Sequence, residues 1–230
     1  MRCGKLFRSG HLGHASDQDL KHLEQLDVKR VFDFRTLADI EADGTDRLPE
    51  GASHLRLPMP DPAVHEDLRT IISETPHNEL KDLFADGKAA AMMVQAAEGL
   101  VRDRREPYRV FLSELCQADL PPALFHCSAG KDRAGWAGTV VLLALGVDEE
   151  QVIEQYLLSN RHLDAIRERL VSENQRWGEL MLPFLEVRRE YIDASFATVQ
   201  TDWGNFDRYL HEGLGITPEQ REQLREWLLE

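Results

Sequence analysis

Cysteine is scarce in this chain: Cys3, Cys116 and Cys127 are the only three among 230 residues, and no two form a Cys-x-x-Cys pair. That sparse, odd set excludes a disulfide framework and a zinc ribbon, and in a reducing compartment it points to a single thiol kept for chemistry. No apolar run approaches the roughly 20 residues that cross a bilayer. Met1-Arg2-Cys3-Gly4-Lys5 has a basic start but no apolar stretch after it. No signal peptide is therefore expected, and a cytoplasmic location is the default, with export by a route lacking such a signal left open. Glycine (15) and proline (10) are too few for a collagenous or low-complexity chain. Positive charge is also short, with 27 Lys and Arg against 41 Asp and Glu, a formal net charge of −14. General nucleic-acid binding and anionic-membrane binding both need cationic surface, so neither is expected, and without a long apolar run no stable membrane insertion is expected either. A site for an anionic substrate must then be locally positive against an acidic background.

The apolar pattern that is present predicts an α/β chain. Lys5–Ser9, Arg30–Phe34, Ala52–Leu57 and Ala123–His126 read as strands, the last one buried. Ser16 is placed to cap a helix carrying Leu20, Leu23 and Leu26, and Tyr108, Phe111, Leu112 and Leu115 share one helical face. Arg133–Leu145 is apolar nearly all round, which predicts a buried helix ended at Gly146. Asp148 with Gln151, and Thr217 with Gln220, have capping-box spacing, and one long helix is expected over Pro183–Thr198. The order of elements predicts a central, mostly parallel sheet flanked by helices. Residues 1–230 then form one domain, with a helical insertion or lid at about 63–105.

Chemistry concentrates in Ala123-Leu124-Phe125-His126-Cys127-Ser128-Ala129-Gly130-Lys131-Asp132-Arg133-Ala134-Gly135. A strand, a short glycine-containing loop and a helix start in that order aim successive backbone N–H groups at one centre, a cradle for a tetrahedral oxyanion. Cys127 opens the loop, and Arg133 closes it after five residues with a fork suited to two phosphoryl oxygens. The same field stabilises a thiolate nucleophile and the charge that develops during transfer.

His126-Cys127-x5-Arg133 resembles the signature of the protein-tyrosine-phosphatase superfamily. The form His-Cys-Ser-Ala-Gly-Lys-Asp-Arg resembles its bacterial branch, which includes secreted mycobacterial and listerial tyrosine and lipid phosphatases. Phe7-Arg8-Ser9-Gly10, Val31 to Arg35, Tyr156 to Asn160 and Trp203 to Gly215 resemble that branch too. The resemblance implies a PTP-like fold and a cysteinyl-phosphate mechanism with Cys127 as nucleophile, needing no metal or other cofactor. It implies that Ser128, Ala129, Gly130, Lys131, Asp132 and Arg133 bind phosphate, while His126 orients the loop. Lys131 resembles a lysine that widens the substrates from phosphotyrosine to phosphoserine, phosphothreonine or phosphoinositides. The general acid is expected to be Asp132, with Asp61 in Pro58-Met59-Pro60-Asp61-Pro62 as the alternative. Many members carry Ser or Thr directly after the arginine; this chain has Ala134, leaving Ser128 or Thr139 as substitutes.

Blander readings accompany these. Cys127 could be an inert buried thiol, and Asp132 a carboxylate that only braces its loop. Asp33 and Arg35 are expected to form a structural ion pair. His11 and His14 lack further ligands for a metal. Met92 and Met93 are expected to pack a helix. Cys3 and Cys116 are most simply unreactive, although either could trap an oxidised Cys127. Two other functions remain in competition: a rhodanese-like sulfurtransferase, against which the Lys131-Asp132 pair argues, and a phosphate-binding module with slow turnover, which Ala134 keeps open.

Overall fold

The computed structural model describes residues 1–60, 75–117, 119–163, 168 and 175–229. Four parallel strands, β1 (Leu6–Ser9), β2 (Arg30–Asp33), β3 (Ser53–Arg56) and β4 (Ala123–His126), form one sheet in the order β1-β4-β2-β3. Strand β4 lies between β1 and β2, with Phe125 level with Arg8 on one side and Phe32 on the other. Every residue of β4 is buried, as an interior parallel strand requires.

Alternation along the strands divides the apolar side chains between two faces. Val31 and Leu124 pack with Leu12, Val28 and the inner side of α1 (Asp17–Gln25). Phe32, Phe34 and Phe125 pack on the other face with Tyr108, Phe111 and Leu112 of α5 (Arg105–Leu115) and Trp136, Ala137 and Val140 of α6 (Arg133–Ala144). Ser16 and Thr36 each form a capping box, the second opening α2 (Leu37–Asp43). A third box forms at Thr217 before α10 (Pro218–Leu228). Gly146, at φ +89°, follows the end of α6.

The helices α3 (His77–Phe84) and α4 (Lys88–Arg102) build a second apolar cluster with α8 (Gln175–Leu185) and α9 (Arg189–Trp203). Leu80, Phe84, Met93, Phe184 and Tyr191 meet there. Of the methionine pair, Met93 is buried in this cluster and Met92 packs against it.

Two expectations need correction. The long helix over Pro183–Thr198 is two helices, because the chain leaves α8 after Leu185 and starts α9 at Arg189. Asn160 supplies the reason: its Oδ1 accepts the Val187 N–H and its Nδ2 donates to the Val187 carbonyl, both at 2.8 Å. The break thus has its backbone groups satisfied from outside the helix. Asp148 caps α7 (Glu149–Leu157) through the Glu150 N–H at 3.0 Å, so no box forms with Gln151.

Candidate active site

The loop from Cys127 to Asp132 leaves the carboxyl end of β4 and enters α6. In open parallel sheets that is the edge where ligands bind, beside the strand at which the crossover direction reverses. The loop is tight because Gly130 takes φ +74°, and a Cβ there would stand 2.3 Å from the Ser9 carbonyl oxygen. Only glycine fits. The loop is also tied to β1, with the His11 N–H donating to the Ser128 carbonyl at 3.0 Å.

Cys127 is buried, and its Sγ accepts the Gly130 N–H at 3.2 Å. Asp132 occupies the cap position of α6, but its side chain caps nothing. It turns instead to Lys131, whose Nζ lies 2.7 and 2.9 Å from the two carboxylate oxygens. The first N–H groups of α6 are thus without a side-chain cap, an arrangement that favours an anion in front of the helix. His126 is fully buried, with Nδ1 3.1 Å from the Cys127 carbonyl oxygen.

Arg133 is held by a residue that sequence reasoning missed. Its Nη1 lies 2.6 Å from Asp39 Oδ2 and its Nη2 3.3 Å from Asp39 Oδ1, and Nη1 also donates to the Met59 carbonyl at 3.0 Å. Ser128 Oγ donates to Asp39 Oδ1 at 3.2 Å and sits 3.4 Å from Arg133 Nη2. Burial opposes ionisation of Asp39, but Arg133 and the Thr36 hydrogen bonds outweigh it and hold the carboxyl at about 2. The spacing from Thr36 to Asp39 marks a helix start in the sequence; nothing in it indicates a reach to Arg133. Behind the site, Tyr108 OH donates to the Arg133 carbonyl at 3.0 Å, and Arg8 Nη2 donates to Ser159 Oγ at 2.9 Å.

Other named residues fall into place. Asp33 and Arg35 do form a buried ion pair, at 3.1 Å, extended by Asp46 at 2.8 Å from Arg35 Nη2. Thr139 is buried and lines a separate cavity with Leu6, Arg8 and Gln155, so of the two hydroxyls proposed to compensate for Ala134 only Ser128 borders the loop cleft. Cys116 is buried, which pushes its thiol up to about 11, and Cys3 is exposed. Asp61 lies outside the described residues.

The loop floors a cavity of about 150 Å³. Met93, Ala96, Ala97 and Leu100 of α4 form one wall, and Phe184, Tyr191 and Ile192 form another, with Trp136 and Tyr156 beside them. A polar anion cradle thus lies at the bottom of a largely apolar cleft. Residues 1–230 match the model of the tyrosine phosphatase family. The chain belongs to that family. Among its relatives in this family, a triple specificity protein phosphatase, PtpB, of Mycobacterium tuberculosis is 28% identical, covering 100% of this chain and 92% of its own length. A protein of Cupriavidus necator named as a putative tyrosine-protein phosphatase is 29% identical over 94% of this chain and 76% of its own. One from Nostoc commune is 28% identical over 68% of this chain and 49% of its own. This tyrosine phosphatase is an enzyme acting on phosphorylated substrates, with an α/β fold of the PTP type. Among its described residues, no helix is long and apolar enough to cross a membrane.

Proposed function

We propose that the enzyme hydrolyses phosphate monoesters, phosphotyrosine first among them, through a cysteinyl-phosphate on Cys127. The observation that carries this reading is the cleft itself: the Cys127–Arg133 loop as floor, with apolar faces of α4 and α9 as walls. A phenyl ring suits such walls, and burying it contributes binding energy that a serine or threonine side chain lacks.

In the first step Cys127 Sγ attacks phosphorus, the S–P bond forms, and the ester P–O bond breaks. Asp132 gives its proton to the leaving oxygen. Water then attacks phosphorus, Asp132 takes its proton, the S–P bond breaks, and inorganic phosphate leaves with the thiolate restored. Arg133 binds two phosphoryl oxygens in both steps, aided by loop N–H groups and the uncapped start of α6. His126 positions the loop through the Cys127 carbonyl. Lys131 acts by orienting Asp132 as well as by its charge. Residues 1–230 form one catalytic domain in this reading, and the 63–105 insertion supplies α4 as cover for the cleft. A reducing cytoplasm keeps Cys127 a free thiol.

The test is one screen of phosphotyrosine, phosphoserine and phosphothreonine peptides against phosphoinositide vesicles, with wild type and Cys127→Ser. The expected result is at least tenfold higher kcat/KM for phosphotyrosine peptides and no turnover by Cys127→Ser, which still binds phosphate. A preference for the lipids replaces phosphotyrosine as substrate. Phosphate binding without turnover of any ester by the wild type makes the protein a binding module.

A further inference from the structure

On the side of His126 away from the cleft, four side chains converge that phosphoryl transfer does not require as a set. Asp33 ends β2, Asp46 follows α2, His54 sits on β3, and His126 ends β4. One nitrogen or oxygen of each lies within 4.8 Å of all the others. His126 Nε2 is 3.1 Å from Asp46 Oδ2. His54 Nε2 is 3.5 Å from the same oxygen and 3.6 Å from Asp33 Oδ2. Ligand atoms around a tetrahedral zinc ion, with bonds near 2.0–2.1 Å, stand about 3.3 Å apart. The three distances bracket that value.

The hydrogen-bond pattern leaves two of these atoms, Asp46 Oδ2 and His126 Nε2, unused, while Asp33 Oδ2 accepts from Arg35 Nη2 at 3.1 Å. The Cys127 carbonyl can only accept, so His126 Nδ1 carries a proton, and the other ring nitrogen, Nε2, lies beside Asp46. Asp46 Oδ2 and His126 Nε2 make no hydrogen bond, although both side chains are 0% exposed. Such a buried nitrogen–oxygen pair is held by a proton or by a metal ion between the two atoms, and a metal ion does not need the near-linear alignment of a hydrogen bond. The remaining carboxylate lobes are already engaged. Asp46 Oδ1 accepts the Leu12 N–H at 2.8 Å, and Asp33 Oδ1 accepts the Arg35 N–H at 2.9 Å. A histidine with its other ring nitrogen bound to a carbonyl is the usual form of a metal ligand.

The geometry points to a binding site for a divalent transition-metal ion of the zinc type, held by Asp33, Asp46, His54 and His126. Two nitrogens and two oxygens in a small tetrahedral space suit zinc or cobalt and do not suit magnesium or calcium, which take six or more oxygens. The half-exposed His54 on the edge strand is the entry. The ion ties β2, β3 and β4 together beneath Cys127 and takes no part in the phosphoryl transfer.

The experiment titrates chelator-treated full-length protein with Co²⁺ and Zn²⁺. Cys127→Ser is included because the thiol itself can take a metal. One Co²⁺ per chain is expected, with the intense visible bands of tetrahedral cobalt and no sulfur-to-metal charge transfer, in wild type and Cys127→Ser alike. His54→Ala and His54→Gln should weaken binding at least tenfold and abolish the rise in Tm that Zn²⁺ gives the wild type. His54→Cys should bind Co²⁺ with a new sulfur-to-metal band. Binding lost in Cys127→Ser but kept in His54→Ala would put the metal on the thiol and overturn the assignment, as would no binding at 1 mM metal ion.

Discussion

Asp39 grips Arg133 with both carboxylate oxygens, at 2.6 and 3.3 Å, although the two residues are 94 positions apart. The contact fixes the plane of the guanidinium before any substrate arrives, and preorganisation of that kind lowers the reorganisation needed in the transition state. Asp39→Asn should therefore reduce kcat on an aryl phosphate by about 10- to 100-fold. Asp39→Glu should recover part of the loss, and Arg133→Lys should fall below both because a point charge cannot replace the fork. Steady-state kinetics of the three variants check this; unchanged kcat in Asp39→Asn would remove the positioning role.

The same contact predicts an acid limb in stability. The carboxyl of Asp39 is held at about 2, below its unfolded value, so its contribution is complete above roughly pH 4 and is lost as pH falls towards 2. The size is about 2 kcal/mol, and Asp39→Asn should shrink the loss of unfolding free energy between pH 5 and pH 2 accordingly. Denaturant melts across that range measure it. Equal slopes in wild type and variant would contradict the linkage.

Asp132 is tested against Asp61 with two esters that differ in leaving group. If Asp132 is the general acid, Asp132→Asn should slow the ester with the poor leaving group at least tenfold more than the good one, and flatten the high-pH limb of its rate profile. Asp61→Asn should leave the ratio between the esters unchanged. The reverse pattern would make Asp132 a brace for Lys131.

Ala134 is fully buried in the first turn of α6, where many relatives in the superfamily have a hydroxyl. If the missing hydroxyl makes hydrolysis of the proposed cysteinyl-phosphate the slow step, rapid mixing with an aryl phosphate should show a burst of one equivalent of product. Ala134→Ser, which needs less room than threonine, should raise steady-state turnover several-fold. A linear trace with unchanged turnover in Ala134→Ser would reject the idea.

Asn160 should prove important for the apolar wall of the cleft. Its two hydrogen bonds to Val187 hold the break between α8 and α9, and Asn160→Ala leaves a buried N–H and carbonyl without partners. A loss of about 2–4 kcal/mol in unfolding free energy is expected from two such groups. Hydrogen exchange at Val187 should rise with it, and a loss below about 0.5 kcal/mol would show the break to be held by packing instead.

Strands β1 to β4, the buried helix α6 and the caps at Ser16 and Thr217 were legible in the residues, because each depends on neighbours within a few positions. The Cys127–Arg133 loop was legible for the same reason: its shape follows from one glycine and a strand–helix junction, and its residue types carry their chemistry with them. What only the folded chain decided are contacts between distant positions. Asp39 reads as an ordinary helix-start carboxylate until α2 is laid beside α6. Asn160 reads as part of a local motif until it meets Val187, and that meeting splits a helix that apolar periodicity alone would continue. Asp46 and His54 carry no signal at all in the sequence, and become partners of Asp33 and His126 because parallel pairing brings the ends of β2, β3 and β4 to one place. Periodicity and capping are short-range and survive in a linear reading. Burial, charge pairing and hydrogen-bond satisfaction are settled by which surfaces meet, and that is determined by packing of the whole chain.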